Sequence, residues 1–173
     1  NKMIDLYYFA ALAQAEQQKH QDAINNFKKY LDLLEKKNYY KDPSVFHYSL
    51  GWHESAYVKL CEMNILAGNL DEALFYINKV KSKRYIKFVI SNMVKIFIKQ
   101  SNFNDLYEFY KKRVKNEKEN MDVFFATLEN ELDYLYEEEN MEILEKFGAE
   151  DNDYALLYNV RLEIYKNNYA NQN

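Results

Sequence analysis

Gly68-Asn69-Leu70-Asp71-Glu72-Ala73 constrains this chain more than any other stretch. A glycine that can turn left-handed stops one helix, Asn69 or Asp71 is placed to cap the next, and Ala73 lets the second helix press close to the first. Two looser copies lie on either side, Gln18-Lys19-His20-Gln21-Asp22-Ala23 upstream and Ser101-Asn102-Phe103-Asn104-Asp105-Leu106 downstream. Three such turns call for helix pairs repeated along the chain. Composition agrees, since three Gly and one Pro in 173 residues are too few to punctuate a sheet.

Apolar periodicity places the helices. Ile4, Tyr7, Tyr8, Ala11 and Leu12 share a face, followed from about Gln21 by Ala23, Ile24, Phe27, Tyr30, Leu31 and Leu34, ending near Lys37. Asp42-Pro43-Ser44 is a helix start, with Pro43 where its missing N–H costs nothing. The helix it opens carries Val45, Phe46, Tyr48, Trp52, Tyr57, Leu60, Cys61 and Ile65, with a bend expected at Gly51. Beyond Gly68, Leu70, Ala73, Leu74, Ile77 and Val80 follow, then a pair over about 85–100 and 104–115. A fourth pair spans 121–147, from Met121 through Phe125, Leu128, Leu132 and Leu135 to a short partner ending at Gly148. Leu157, Val160 and Ile164 mark a lone last helix over 152–168.

The fold class expected is all-α, with antiparallel helix pairs stacked in a short right-handed superhelix and closed by that capping helix. The chain reads as a single domain over 1–173, with units at about 3–36, 52–82, 85–117 and 121–147. Ala73 to Leu106 is 33 residues, whereas Ala23 to Ala73 is 50, so an insertion at 37–51 separates the first two units. Such insertions often lie on a functional face.

On these residues the chain resembles the tetratricopeptide-repeat family. The matching positions are Tyr7, Ala11, Ala23 and Phe27 in the first unit, Tyr57, Leu60, Cys61, Gly68, Ala73 and Ile77 in the second, and Ile90, Phe97, Phe103 and Tyr110 in the third. Leu106 stands where the family has a small residue, no unit ends in proline, and the fourth pair matches poorly. The resemblance implies a non-catalytic scaffold that binds a protein or peptide segment in a concave groove lined by the first helix of each unit. Its inward positions would be Asp5, Tyr8 and Leu12, then Ser55, Val58 and Glu62, then Phe88, Ser91, Lys95 and Lys99. Tyr8, Glu62, Ser91, Lys95 and Lys99 are the candidate binding residues, and Lys95 and Lys99, one turn apart, can meet one carboxylate or phosphate. The Lys/Asn clamp of chaperone-binding relatives does not match, because Tyr8, Val58 and Ser91 occupy its positions. Two alternatives follow from the same resemblance. One is the accessory C-terminal region of a bacterial family-2 glycosyltransferase, to which Tyr7-Tyr8-Phe9-Ala10-Ala11, Asp22-Ala23-Ile24 and the Glu54–Ala73 stretch are similar. The other is the peptide-sensing domain of a bacterial transcriptional regulator.

The search for chemistry is negative. There is no Walker-type loop, GxSxG elbow, paired cysteine or HExxH sequence, so neither catalytic residues nor cofactors are assigned to this stretch of chain. His47, His53 and Glu54 form the one conceivable zinc set, and polar surface is the ordinary reading of them. Tyr39, Tyr40, Tyr48 and Trp52 make either an aromatic platform or an anchor holding the insertion to the repeats. Glu137-Glu138-Glu139 reads as a solvated helix end. Cys61 is the only cysteine, precluding an internal disulfide and packing as a small buried residue.

Charge is strongly segregated. Residues 79–118 hold twelve Lys/Arg against three Asp/Glu, and residues 119–155 hold one Lys against thirteen acids. Blocks of this kind complement each other, within a chain or between copies, or form solvated faces. The basic block interleaves lysines with Tyr85, Phe88, Tyr107, Phe109 and Tyr110, a mixture suited to nucleic acid. The aromatic residues nevertheless fall at core spacings and the overall pI is about 5.5, which argues against direct nucleic-acid binding. No apolar run reaches the ~18 residues of a membrane span, and a cytoplasmic location is expected. The chain opens at Asn1 without an initiator Met, as a piece of a longer protein would.

Overall fold

A computed structural model of the protein describes residues 2–36, 43–131, 145–150 and 152–170, the side chains of 2, 3, 43–51, 154, 157, 165 and 168–170 lying outside that description. The protein is all-α, and no strand occurs among the described residues. The helices are α1 (Lys2–Glu16), α2 (His20–Lys36), α3 (Pro43–Leu66), α4 (Leu70–Ile77), α5 (Lys83–Lys99), α6 (Phe103–Phe109), α7 (Lys118–Asn130) and α8 (Asp153–Ala170). A π-helical turn, Tyr110–Val114, continues α6. Two compact units divide the chain, Asn1–Val89 and Ile90–Asn173.

The three related turns share one backbone geometry. Gln18, Gly68 and Ser101 hold φ values of +60°, +77° and +53°. In each, the left-handed residue donates its N–H to the carbonyl three positions back, and the next residue donates to the one five back. The carbonyls are Ala15 and Gln14 in the first turn, Ile65 and Asn64 in the second, and Ile98 and Phe97 in the third. This double closure satisfies the last carbonyls of a helix while reversing the chain. The following helix starts alike each time, with Ala23, Ala73 and Leu106 donating to Lys19, Asn69 and Asn102. Those three residues are fully buried. Gln18 and Ser101 adopt a conformation that glycine holds more readily, so the packing of their helices outweighs a local cost.

In the first unit α1 packs on α2, α2 on α3 and α3 on α4. The core joins Ile4, Tyr8 and Ala11 of α1 to Ala23, Ile24, Phe27 and Tyr30 of α2, and Leu60, Cys61 and Ile65 of α3 to Ala73 and Ile77 of α4. The helix begun at Pro43 runs through Gly51 to Leu66 as one element, so Gly51 does not end it. Much of the stretch read as an insertion is thereby the front of α3, while 37–42 lie outside the described residues. Asn69 stands at the N-cap of α4 but makes no side-chain cap. Asn102 does cap α6, its Oδ1 accepting from the Asp105 amide at 3.4 Å.

In the second unit the π turn packs on α7, and α7 on α8. An aromatic core gathers around Tyr110, whose ring lies 5.1–5.7 Å from those of Phe124, Phe125 and Phe147. The helix expected from Met121 begins three residues earlier, at Lys118. Of its proposed partner only 145–150 are described, with a helical turn over 145–148, and Leu132, Leu135 and Glu137-Glu138-Glu139 fall outside. Gly148 lies so close to α8 that a Cβ there would stand 2.8 Å from Asn159 Oδ1. On the last helix Ala155, Tyr158 and Leu162 are buried, whereas Leu156, Val160 and Ile164 are more than half exposed. Val160 and Ile164, expected to share an apolar face, thus point away from that core.

Candidate functional site

The candidate residues divide between the two units, and each group is described within its own unit. In the first, Tyr8 is committed to packing. It is 6% exposed, its ring stacks on Trp52 at 5.5 Å with a 5° interplanar angle, and its hydroxyl is 2.9 Å from Ser55 Oγ. Phe9 meets the same indole edge-on at 5.4 Å, so Trp52 ties α3 to α1. Tyr39 and Tyr40, and the side chain of Tyr48, lie outside the described residues. Glu62 is 6% exposed, and one of its carboxylate oxygens accepts from Lys59 Nζ at 2.7 Å, one turn before it on α3.

Glu54 has a role that no local motif announces. Its Oε1 accepts from the amides of Lys81 and Ser82, at 3.0 and 3.1 Å, from 27 and 28 residues away. The carboxylate thereby supplies part of what a helix start lacks, just ahead of α5. His53 stacks edge-on against Tyr57 at 4.6 Å, and burial lowers its pKa against the opposing pull of Glu35 and Glu54. The side chain of His47 is outside the described residues, and no group of three potential metal ligands occurs among those described.

In the second unit α5 presents Ser91, Lys95 and Lys99. Ser91 is half-buried, its hydroxyl 3.2 Å from Thr127 Oγ1 on α7. Lys95 is exposed and reaches Glu131 at 4.0 Å, a distance at which an exposed ion pair contributes little. Lys99 is exposed one turn further on. Two adjacent cations on a rigid helix suit a carboxylate or phosphate, and of the five candidates these are the two with exposed side chains.

A polar group missed by sequence periodicity joins the π-turn region to 150–152. Glu150 accepts from the Tyr107 hydroxyl and from Lys115 Nζ, both at 2.7 Å, and Asn152 Nδ2 donates to the Tyr110 hydroxyl at 3.1 Å. Burial pushes the Glu150 pKa up, but the Lys115 and Tyr107 hydrogen bonds outweigh it and hold the carboxyl below its ordinary value. The same hydrogen bond, with burial added, raises the Tyr107 phenol to about 12. The partners lie 35 to 43 positions apart, so no spacing signals them. These hydrogen bonds clasp the π-turn region to 150–152.

Among the described residues no helix is long and apolar enough to cross a membrane. The chain matches no protein-family model, and no curated protein or solved structure matches it significantly.

Proposed function

We propose that this chain is a non-catalytic, tetratricopeptide-like helical-repeat scaffold that binds a protein or peptide segment. One observation carries the reading: Gln18, Gly68 and Ser101 repeat a single turn geometry, each followed by a buried residue where the second helix closes on the first. Helix pairs joined in this way build extended binding walls when they recur, because each contributes its first helix to the surface. Lys95 and Lys99 on α5 are the contact residues supported best, and they favour a segment carrying acidic side chains.

Peptides selected from a displayed library against the chain test this. Affinity for the enriched peptides is measured on the wild type and on Lys95→Glu with Lys99→Glu. The expected result is loss of binding with an unfolding temperature close to that of the wild type, since both side chains are exposed. Affinity unaffected by the double reversal overturns the assignment of this surface.

A further inference from the structure

The connection from α4 to α5 holds Lys79, Lys81, Lys83, Arg84 and Lys87, five cations in nine residues with no Asp or Glu among them. Lys79, Lys81, Lys83 and Arg84 are exposed, and all five belong to the first unit. Their placement runs against the electrostatics of a helix. The start of a helix carries partial positive charge and favours acidic neighbours, yet α5 has no acidic residue in its first turn. Lys83 and Lys87 are also four apart, a like-charge spacing that destabilises a helix.

Against this charge the chain sets the Glu54 carboxylate, held by the Lys81 and Ser82 amides. That contact uses the Lys81 and Ser82 backbone donors, and the exposed side chains of Lys79, Lys81 and Arg84 stand outside it. Aromatic surface borders the cations: Lys79 Nζ sits 4.9 Å from the Phe75 ring centroid, and Phe75 and Phe88 are each about half exposed.

We infer that the α4–α5 connection and the first turn of α5 form a docking surface for an acidic polypeptide segment. The residues it uses lie within 75–88 of the first unit, and the inference does not rest on the function proposed for Lys95 and Lys99. Carboxylates of such a segment meet Lys79, Lys81 and Arg84, and its apolar side chains meet Phe75 and Phe88. A nucleic acid is the competing polyanion. Glu54 stands within hydrogen-bond distance of the Lys81 and Ser82 amides, so the edge of the surface carries a carboxylate, on a chain whose net charge is −4. An unbroken phosphate backbone is repelled there, whereas a peptide can set neutral residues opposite it.

Fluorescence anisotropy at low salt tests the proposal, with a short labelled peptide of alternating Glu and Ala and a labelled oligodeoxythymidine of equal length. The peptide should bind the wild type, bind Lys81→Glu with Arg84→Glu at least about tenfold more weakly, and weaken as salt rises. Lys111→Glu with Lys112→Glu makes the same charge change in the second unit and should leave affinity within about twofold of wild type. Failure of the peptide to bind the wild type overturns the inference, as does an equal loss in the control pair, which would show that only net charge matters. Tighter binding of the oligonucleotide, abolished by the Lys81 and Arg84 reversals, would assign the surface to nucleic acid instead. If the reversals lower helix content by circular dichroism, Lys81→Gln with Arg84→Gln repeats the comparison. Peptide binding lost only in Lys95→Glu with Lys99→Glu would likewise overturn this surface while supporting the other.

Discussion

Cys61 Sγ lies 3.4 Å from the carbonyl oxygen of Ala73, which brings the thiol of α3 against the backbone of α4. Both residues are fully buried. Burial pushes the Cys61 thiol well above its ordinary pKa, so it is protonated and packed as a small apolar group.

Ala73→Leu introduces a branched side chain into that contact and should destabilise the protein by about 1–3 kcal/mol. Urea unfolding followed by circular dichroism measures it. A neutral result would show that α3 and α4 do not close on each other at Ala73, and would remove the packing basis of the repeat.

The three left-handed turn residues respond in opposite directions. A Cβ on Gly68 meets nothing within 4 Å, so Gly68→Ala is penalised by backbone conformation alone, at about 1 kcal/mol. Gln18→Gly and Ser101→Gly relieve that conformation and lose part of the gain to greater freedom of the unfolded chain, for a net stabilisation of about 0.5 kcal/mol each. Denaturant midpoints for the three variants check the signs.

Glu150 and Tyr107 make stability fall at both ends of the pH scale. The Glu150 pKa is lowered on folding, so its contribution is complete above the unfolded value of roughly 4.3 and is lost as pH drops through the folded one. The Tyr107 pKa is raised on folding, so its contribution is complete below roughly 10 and is lost as pH rises toward about 12. Glu150→Gln should flatten the acid limb of a plot of unfolding temperature against pH. An acid limb as steep as the wild type's would mean other carboxylates set it.

Tyr158 and Tyr110 are both fully buried tyrosines of the second unit, with different polar surroundings. The Tyr158 hydroxyl has no hydrogen-bond partner among the described residues, whereas that of Tyr110 accepts from Asn152. Tyr158→Phe should therefore be neutral or stabilising, and Tyr110→Phe should cost about 1 kcal/mol. Reversal of that order in thermal denaturation would reveal a partner for Tyr158.

Much of the architecture was legible because it is local. Gly68 marked a left-handed turn by its own chemistry, and Gln18 and Ser101 were identified through the residues that follow them. Pro43 set the first residue of α3. Tertiary contacts decided the rest. Gly51 did not end α3, since a glycine inside a long helix only lowers its propensity and the packing from Ala56 onward favours the helix. Ahead of α5 the Lys81 and Ser82 amides are met by a carboxylate from α3, that of Glu54. Exposure at Lys95 and Lys99 followed from helical spacing. The burial of Tyr8 did not, because Trp52 and Ser55 of α3 enclose it only once the helices have packed, and Glu62 is buried in the packed unit beyond its local pair with Lys59.

The Lys115 amide reaches past the usual carbonyl to that of Tyr110, at 3.0 Å. A wide turn of this kind holds one residue more than an α-helical turn would, and here it closes the C-terminal end of α6. A one-residue deletion within 110–114 therefore tightens the last turn after α6 and leaves α6 itself in register, whereas the same deletion inside α5 would rotate every later side chain of that helix by about 100°.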